Sequence, residues 1–370
     1  MFKLNFFKKS AFGLDISDFS IEVLQLKKRV GKKQVSAFGR VNLEEGIISD
    51  GKILNKEKLI EKIKEVTSKT KAGKLQTRRV ILAIPESKTF VNIFEFPVYL
   101  KFHELLKTVQ VEVGRTIPIA FQDLYSDIQI ISRSQEGFQK VRFVGVLKNI
   151  ADDYKEVLEK AGLEPIAFDM ESMSLAQVLI KESNKDSGTI ILDIGARTTI
   201  VSIFDEGGLS FAINIPIAGN NFSQAISENL KIPLEEAEKL KRDYGLDEEM
   251  ESGKIMLILQ SIFQSIIDEI KNTIKYCEKE TGKKINKIIL CGGSSLIPKL
   301  PEYLSSNLGI ETQIGDPWTD IDDSNLQAPE ILEFARAMSP ILYATVIGLA
   351  MRGLERDPIH GGINLLPVKK

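Results

Sequence analysis

Cysteine and histidine are nearly absent from this 370-residue chain: Cys277, Cys291, His103 and His360 are all it has. Neither a disulfide framework nor a cysteine or histidine metal site is therefore expected. Long apolar runs are missing too. The longest, Met338 to Leu349, carries small residues, is followed by Arg352, and reads as a buried helix rather than a membrane span. Residues Met1 to Lys9 are too short for a signal h-region and read as a leader into the first strand, with at most a marginal attraction to an anionic membrane. Neither sign of charge dominates. A net charge of −2 and a pI near 6.0 argue against a dedicated nucleic-acid surface. What remains is a globular composition in a chain too long for one core, so two lobes and a cytoplasmic location are expected.

One phrase occurs twice, 178 residues apart: Leu14-Asp15-Ile16-Ser17-Asp18-Phe19-Ser20-Ile21 and Leu192-Asp193-Ile194-Gly195-Ala196-Arg197-Thr198-Thr199. Each copy reads as a strand ending in an aspartate, a tight turn of small or hydroxyl residues, and a second strand, Ile21 to Lys27 or Ile200 to Asp205. Hairpin turns follow at Arg29 to Lys32 and at Asp205 to Gly208. Such a turn aims consecutive N–H groups at one point and can hold an anion. The aspartate before it is placed to hold hydrated Mg²⁺. Two such turns facing each other would grip a nucleotide triphosphate from both sides. The plain alternative is a pair of unrelated strand-end aspartates that satisfy turn amides.

Around these copies, residues 12–45 read as a β-meander and Asn55 to Ser68 as a helix with Leu59, Ile60, Ile63 and Val66 at core spacing. Val80 to Ile84 is a buried strand. A β-α-β-β-α block follows: strand Thr89 to Phe96, helix Tyr99 to Arg115, strands Asp127 to Arg133 and Lys140 to Leu147, helix Ile150 to Ala161. Strand Ile166 to Phe168 and helix Ser172 to Ile180 complete the first half. The second half repeats the meander from Thr189 to Ile217, adds helices between Asn221 and Thr281, and ends in a helix over Ala337 to Leu354.

A third motif, Ile288 to Pro298, delivers Gly292-Gly293-Ser294 from a buried strand to a helix start, where backbone can approach a ligand closely. Alone it is equally a tight strand-to-helix turn. Glu238 and Lys241 lie three apart on one helix face. In a cleft they would bond a ribose and pack on a base; on an open surface they are a solvated pair.

Together these residues resemble the actin-like ATPase superfamily: phosphate turn one (Asp15 to Ser20), a connecting helix (Asp169 to Ile180), phosphate turn two (Asp193 to Thr199) and an adenosine motif (Gly292 to Ser294). The inserted block sits where the cell-division protein FtsA carries its subdomain IC. Closer still, Phe12 to Ser17, Ala83 to Ser87, Phe168 to Ser172, Leu192 to Thr199 and Cys291 to Pro298 resemble the PilM family of type IV pilus assembly proteins, over about residues 11–354.

The resemblance implies an α/β actin-like ATPase fold, two related lobes around a nucleotide cleft with an α+β subdomain inserted in the first. It divides the chain into 1–90 with 163–188 (IA), 91–162 (IC), 189–220 with 282–336 (IIA), 221–281 (IIB), a helix at 337–356 returning to the first lobe, and a tail at 357–370. It further implies a cytoplasmic scaffold at the inner face of the membrane that binds ATP and Mg²⁺ and the cytoplasmic segment of a PilN-like inner-membrane protein. Asp15 and Asp193 take the catalytic and water-mediated Mg²⁺ roles. Ser17, Asp18, Ser20, Gly195, Ala196, Thr198 and Gly219 join the phosphate contacts, and Gly292, Gly293, Ser294, Glu238 and Lys241 surround the nucleoside.

The chain departs from the pattern at turn one, where Ser17 replaces a glycine, Asp18 brings a negative charge, and Glu22 occupies a lysine position. Binding with slow or absent hydrolysis is the resulting expectation. The tail reads Gly361-Gly362-Ile363-Asn364-Leu365-Leu366-Pro367-Val368-Lys369-Lys370, and its Ile-Asn-Leu-Leu-Pro is similar to the start of the PilN cytoplasmic segment. It is read either as an occupant of the partner groove, in its own or a neighbouring molecule, or as a tail that finishes the fold. Two further readings stay open: a small-molecule kinase, with Asp169 or Glu171 as base, and an FtsA-like division protein, although no amphipathic helix follows Arg356.

Overall fold

The computed structural model describes residues 10–29, 31–134, 136–181, 187–322 and 339–366. The leader at 1–9, the stretch 323–338 that holds the expected start of the last helix, and tail residues 367–370 lie outside them. The backbone divides into two units, Met1–Val178 with Pro317–Lys370 and Leu179–Asp316.

The first unit opens on an antiparallel meander, β1 (Phe12–Ile16), β2 (Ser20–Arg29) and β3 (Lys32–Asn42), whose register sets Asp15 beside Glu22 and Glu22 beside Arg40. A small hairpin of β4 (Ile48–Ser49) and β5 (Lys52–Ile53) leads into α1 (Lys56–Ser68). That helix starts where it does because the Asn55 side chain accepts the Lys58 N–H at 3.0 Å. It buries Leu59, Ile63 and Val66. Strand β6 (Arg79–Ile84) runs parallel to β1.

The β-α-β-β-α block consists of β7 (Thr89–Pro97), α2 (Phe102–Thr116), β8 (Leu124–Arg133), β9 (Phe138–Leu147) and α3 (Lys148–Lys160). Its strands form their own sheet, ordered β7-β9-β8, with Leu105, Val109 and Val113 of α2 packed beside Val141 and Phe143. Helix α2 begins three residues later than Tyr99. Pro97 O accepts the Leu100 N–H in a turn, and the Glu104 carboxylate caps the Lys101 N–H at 2.8 Å. Strand β10 (Glu164–Met170), parallel to β6, and α4 (Glu171–Leu179) follow.

In the second unit β11 (Gly188–Ile194), β12 (Thr199–Asp205) and β13 (Gly208–Ile215) repeat the meander. Helices α5 (Gly219–Leu230), α6 (Leu234–Asp243) and α7 (Lys254–Thr281) precede β14 (Ile285–Cys291), α8 (Leu300–Leu308) and β15 (Glu311–Ile314). The sheet order is β13-β12-β11-β14-β15, and the buried side of α7 packs Leu259, Phe263, Ile266 and Ile270 into the core.

The chain returns to the first unit as β16 (Ile321–Asp322), beside β3, and α9 (Ala344–Gly353). The first sheet is therefore β10-β6-β1-β2-β3-β16 among the described residues. Each sheet joins a three-stranded meander to two strands parallel to the meander's first strand, the first sheet adding β16 beside β3, and Asp15 and Asp193 are each the penultimate residue of that first strand.

Helix α9 starts at Ala344, after a single 3-10 turn at Pro340–Tyr343, because a proline is tolerated only at a helix's first turn. It lies directly on β1. A Cβ at Gly13 would come within 2.5 Å of Val346 O, so the Gly13 in Phe12-Gly13-Leu14 is a packing requirement of this helix. Strands β15 and β16, four and two residues long, were not anticipated; both are too short to establish a period in the sequence.

Candidate functional site

Turn one is closed by its own serine. Ser17 N donates to Ser20 O at 2.9 Å, and Ser17 Oγ accepts from Ser20 N at 3.0 Å and Phe19 N at 3.3 Å. Hydroxyl acceptance of this kind replaces the freedom a glycine would have brought. Together with the Ser20 carbonyl, it occupies three N–H groups that the family resemblance assigns to phosphate. The Asp18 carboxylate accepts from Asp50 N at 2.7 Å and Gly51 N at 3.0 Å, so its charge is drawn toward the β4–β5 hairpin.

A cation does reach this turn, from β3. Arg40 Nη2 donates to Ser20 Oγ at 3.3 Å while Nε pairs with Glu22 at 3.1 Å. Burial pushes the Glu22 carboxyl up to about 7, against the opposing pull of Arg40 and the Ser20 hydrogen bond. Burial, and next the Glu22 charge, also raise the Tyr343 hydroxyl. Arg40 was missed in the sequence. The available signal was the meander itself, since a known β2–β3 register puts residue 40 opposite residue 22.

In the second unit the named residues converge. Gly195 N donates to Thr198 O at 3.0 Å and closes turn two. Gly195 O accepts from Gly219 N at 3.1 Å and from Ser294 Oγ at 3.0 Å, and Ala196 O accepts from Asn220 N at 2.8 Å. The start of α5 and the glycine turn after β14 are thus both fastened to turn two. A Cβ on Gly219 would meet Ser294 Oγ at 2.5 Å. Gly292 is left-handed (φ +79°), and a Cβ there would lie 2.2 Å from Asp193 Oδ1. Gly293 opens a 3-10 turn, Gly293–Leu296.

Asp193 itself receives no hydrogen bond from the described residues, and burial alone pushes its carboxyl up to about 6. A partly buried carboxylate without a donor or counter-charge fits the residues expected of a hydrated-cation site. The position of Asp15, at the matching place in β1, is fixed by its pairing with Glu22.

Lys241 and Glu238 do share a helix face, but the lysine is turned inward. Its ammonium donates to Gly219 O at 3.0 Å, to Ser223 Oγ at 2.8 Å and to Glu238 Oε2. Those three bonds use all three of its protons. Burial pulls the Lys241 pKa down, opposed by Glu238. For Glu238 burial works upward, yet hydrogen bonds from Lys241 and Ser223 outweigh it and hold the carboxyl below its usual value. Lys241 consequently ties α6 to the start of α5 and sets Glu238, rather than offering a proton of its own.

The two carboxylates considered as a kinase base are engaged. Asp169 is buried, pairs with Arg352 and accepts the Met170 N–H at 2.8 Å. Glu171 accepts the Glu86 N–H at 3.0 Å, and Glu86 in turn holds Ser172 through its N–H and hydroxyl.

Duplicated meander-plus-parallel sheets, each with an aspartate at the end of its first strand, define an actin-like ATPase fold. The chain belongs to the family described as type IV pilus assembly protein PilM, whose family model matches residues 13–354. A solved structure titled "PilM-PilN type IV pilus biogenesis complex" has the same fold, with a TM-score of 0.79 at 20% identity over 94% of this chain and 99% of that one. MreB5 of Spiroplasma citri, solved bound to ADP, matches at a TM-score of 0.55 and 16% identity over 93% and 96%. The cell division protein FtsA of Neisseria meningitidis serogroup B is 24% identical over 223 residues, 53% of this chain and 54% of that protein. The chain spans about half the length of the curated relatives it matches first. Among the described residues no helix is long and apolar enough to cross a membrane.

Proposed function

We propose that this chain is an ATP-binding scaffold of type IV pilus assembly that binds the cytoplasmic N-terminal segment of a PilN-like inner-membrane protein, and through it sits at the inner face of the membrane. The observation that carries the reading is the family match, which runs through both meanders and the inserted block. The solved relative is a complex of PilM with PilN, and carrying that partner over to this chain is our inference. The division proposed with it is IA, IC, IIA and IIB at the boundaries given above.

The nucleotide reading is supported by the second-unit cluster. Asp193 would hold hydrated Mg²⁺, which supplies charge neutralisation to a bound triphosphate, and Asp15 is assigned the same role at its own turn in the first unit. Backbone at Gly195, Ala196 and Thr198 and at the start of α5 by Gly219 would hold phosphates. Gly292, Gly293 and Ser294 would border the nucleoside, with Glu238 at the ribose, set by Lys241. In turn one, Ser17, Asp18 and Ser20 form a closed turn, and Arg40 is the charge at hand for a phosphate. With those N–H groups already bonded, hydrolysis is slow or absent in this reading.

Calorimetric titration of a PilN-like Asn-Leu-Leu-Pro peptide, with Mg-ATP present, tests the partner. Micromolar or tighter binding is expected. Absence of binding to both the unsubstituted chain and its Asn364→Ala variant, in protein shown to hold ATP, would sink the scaffold reading. A steady-state phosphate-release assay with brisk turnover, abolished by Asp193→Ala, would refute the hydrolysis statement separately.

A further inference from the structure

The chain carries its own peptide on two sheet edges. Strand β10 is the edge of the six-stranded sheet and β8 the edge of the three-stranded one, and residues 363–366 bond to both. Leu365 N donates to Phe168 O at 2.9 Å, and Phe168 N donates to Asn364 Oδ1 at 3.1 Å, so both backbone polar groups of Phe168 are taken by the segment. Asn364 N donates to Asp127 Oδ2 on β8 at 3.0 Å. The carboxamide of Asn364 also accepts from Leu366 N at 3.0 Å, and Arg352 holds Ile363 O at 2.6 Å. Ile363 and Leu365 are at most 1% exposed, and Leu366 is buried.

This is the bonding of a docked peptide rather than of a strand. One backbone rung, one carboxamide bridge and three apolar anchors do the recognition, while the preceding Gly361 is exposed. The features recognised at this edge are thus an apolar residue, a carboxamide and two further apolar residues in that order.

We propose that residues 363–366 are a resident plug of the partner groove, so that an incoming Ile-Asn-Leu-Leu peptide binds only as the chain's own segment leaves. The proposal rests on the partner reading above. A tethered occupant competes at an effective concentration of about a millimolar, so loosening it raises the apparent affinity for an incoming peptide by about tenfold or more.

The test uses the full chain and a labelled synthetic peptide of its own residues 361–370. Asn364→Ala and Leu365→Asp are each expected to bind that peptide about tenfold more tightly than the unsubstituted protein. Asp127→Ala added to either should weaken the gain. Equal affinity in all forms would overturn the plug. Because Leu365→Asp is the harsher change, hydrogen exchange on the unsubstituted protein gives a second reading. Saturating peptide should expose the Leu365 amide while Phe168 stays protected, and continued protection of Leu365 would overturn the proposal. A PilN-like peptide that binds without exposing Leu365 leaves the partner reading standing and removes the plug. Release of Leu365 by the chain's own peptide, with no binding of the PilN-like one, does the reverse.

Discussion

Arg352 and Asp169, 183 residues apart in sequence, form an ion pair in which both side chains are nearly sealed from solvent, 2% and 8% exposed. Arg352 also donates to Pro358 O at 2.8 Å and to Ile359 O at 3.2 Å, besides Ile363 O. One guanidinium thus closes the strand β10 end, the α9 end and the loop that carries the tail. Attraction in such a place only offsets the desolvation of two charges, but deleting one partner strands the other.

Arg352→Ala is expected to destabilise the chain by about 3–5 kcal/mol, read as a lower denaturant midpoint at unchanged slope. The Leu365 amide should exchange faster than in the unsubstituted protein. A midpoint shift below about 1 kcal/mol would show that water replaces the pair.

Asp193→Asn separates stability from ligand binding. Its carboxyl is raised from 3.8 to about 6 in the folded protein, so the associated stability is complete below pH 4 and lost as pH climbs through 6. At pH 7 the asparagine variant should therefore be more stable than the unsubstituted protein by an amount on the order of 1–3 kcal/mol without ligand. It should also lose most of the melting-temperature rise given by Mg-ATP. A variant that keeps that rise would remove Asp193 from the proposed site.

Arg40→Ala should destabilise in a pH-dependent way. The Glu22 carboxyl is already raised to about 7, so its stability contribution is present in acid and lost as pH rises through 7. Without Arg40 the charged form becomes costlier still. Thermal melts should show a small deficit at pH 5.5 and one of about 1–3 kcal/mol at pH 8. Glu22→Gln should flatten both profiles across that interval, and an Arg40→Ala deficit equal at the two pH values would point to packing instead.

Gly292→Ala places a methyl on a left-handed backbone and against Asp193 Oδ1. A cost of about 1–3 kcal/mol is expected, with loss of nucleotide binding that Ser295→Ala, one turn further on, does not share. Crystallography or a titration with Mg-ATP would show whether Asp193 has moved; unchanged affinity would argue against this cradle.

Much of this molecule follows from local chemistry and was therefore legible in the chain itself. The strand-end aspartates and the turns after them marked both meanders, and apolar spacing at Leu59, Ile63 and Val66 marked α1, because each depends on neighbours within a few positions. The duplicated phrase carried the fold class for the same reason. Tertiary structure decided what distant groups do to these local motifs. Asp18 stands in a phosphate-like turn, yet its charge is taken by Asp50 and Gly51 N–H groups more than thirty residues away. Lys241 shares a face with Glu238 as the i,i+3 rule requires, but where its ammonium points was settled by Gly219 O and Ser223 from another helix. Arg40 joined turn one only through strand register, and Asn364 found Phe168 only because β10 and β8 are both sheet edges. Periodicity reports which side of an element is apolar. It holds no information on which remote donor, carbonyl or charge will meet that side, and those partners govern the electrostatics of the site.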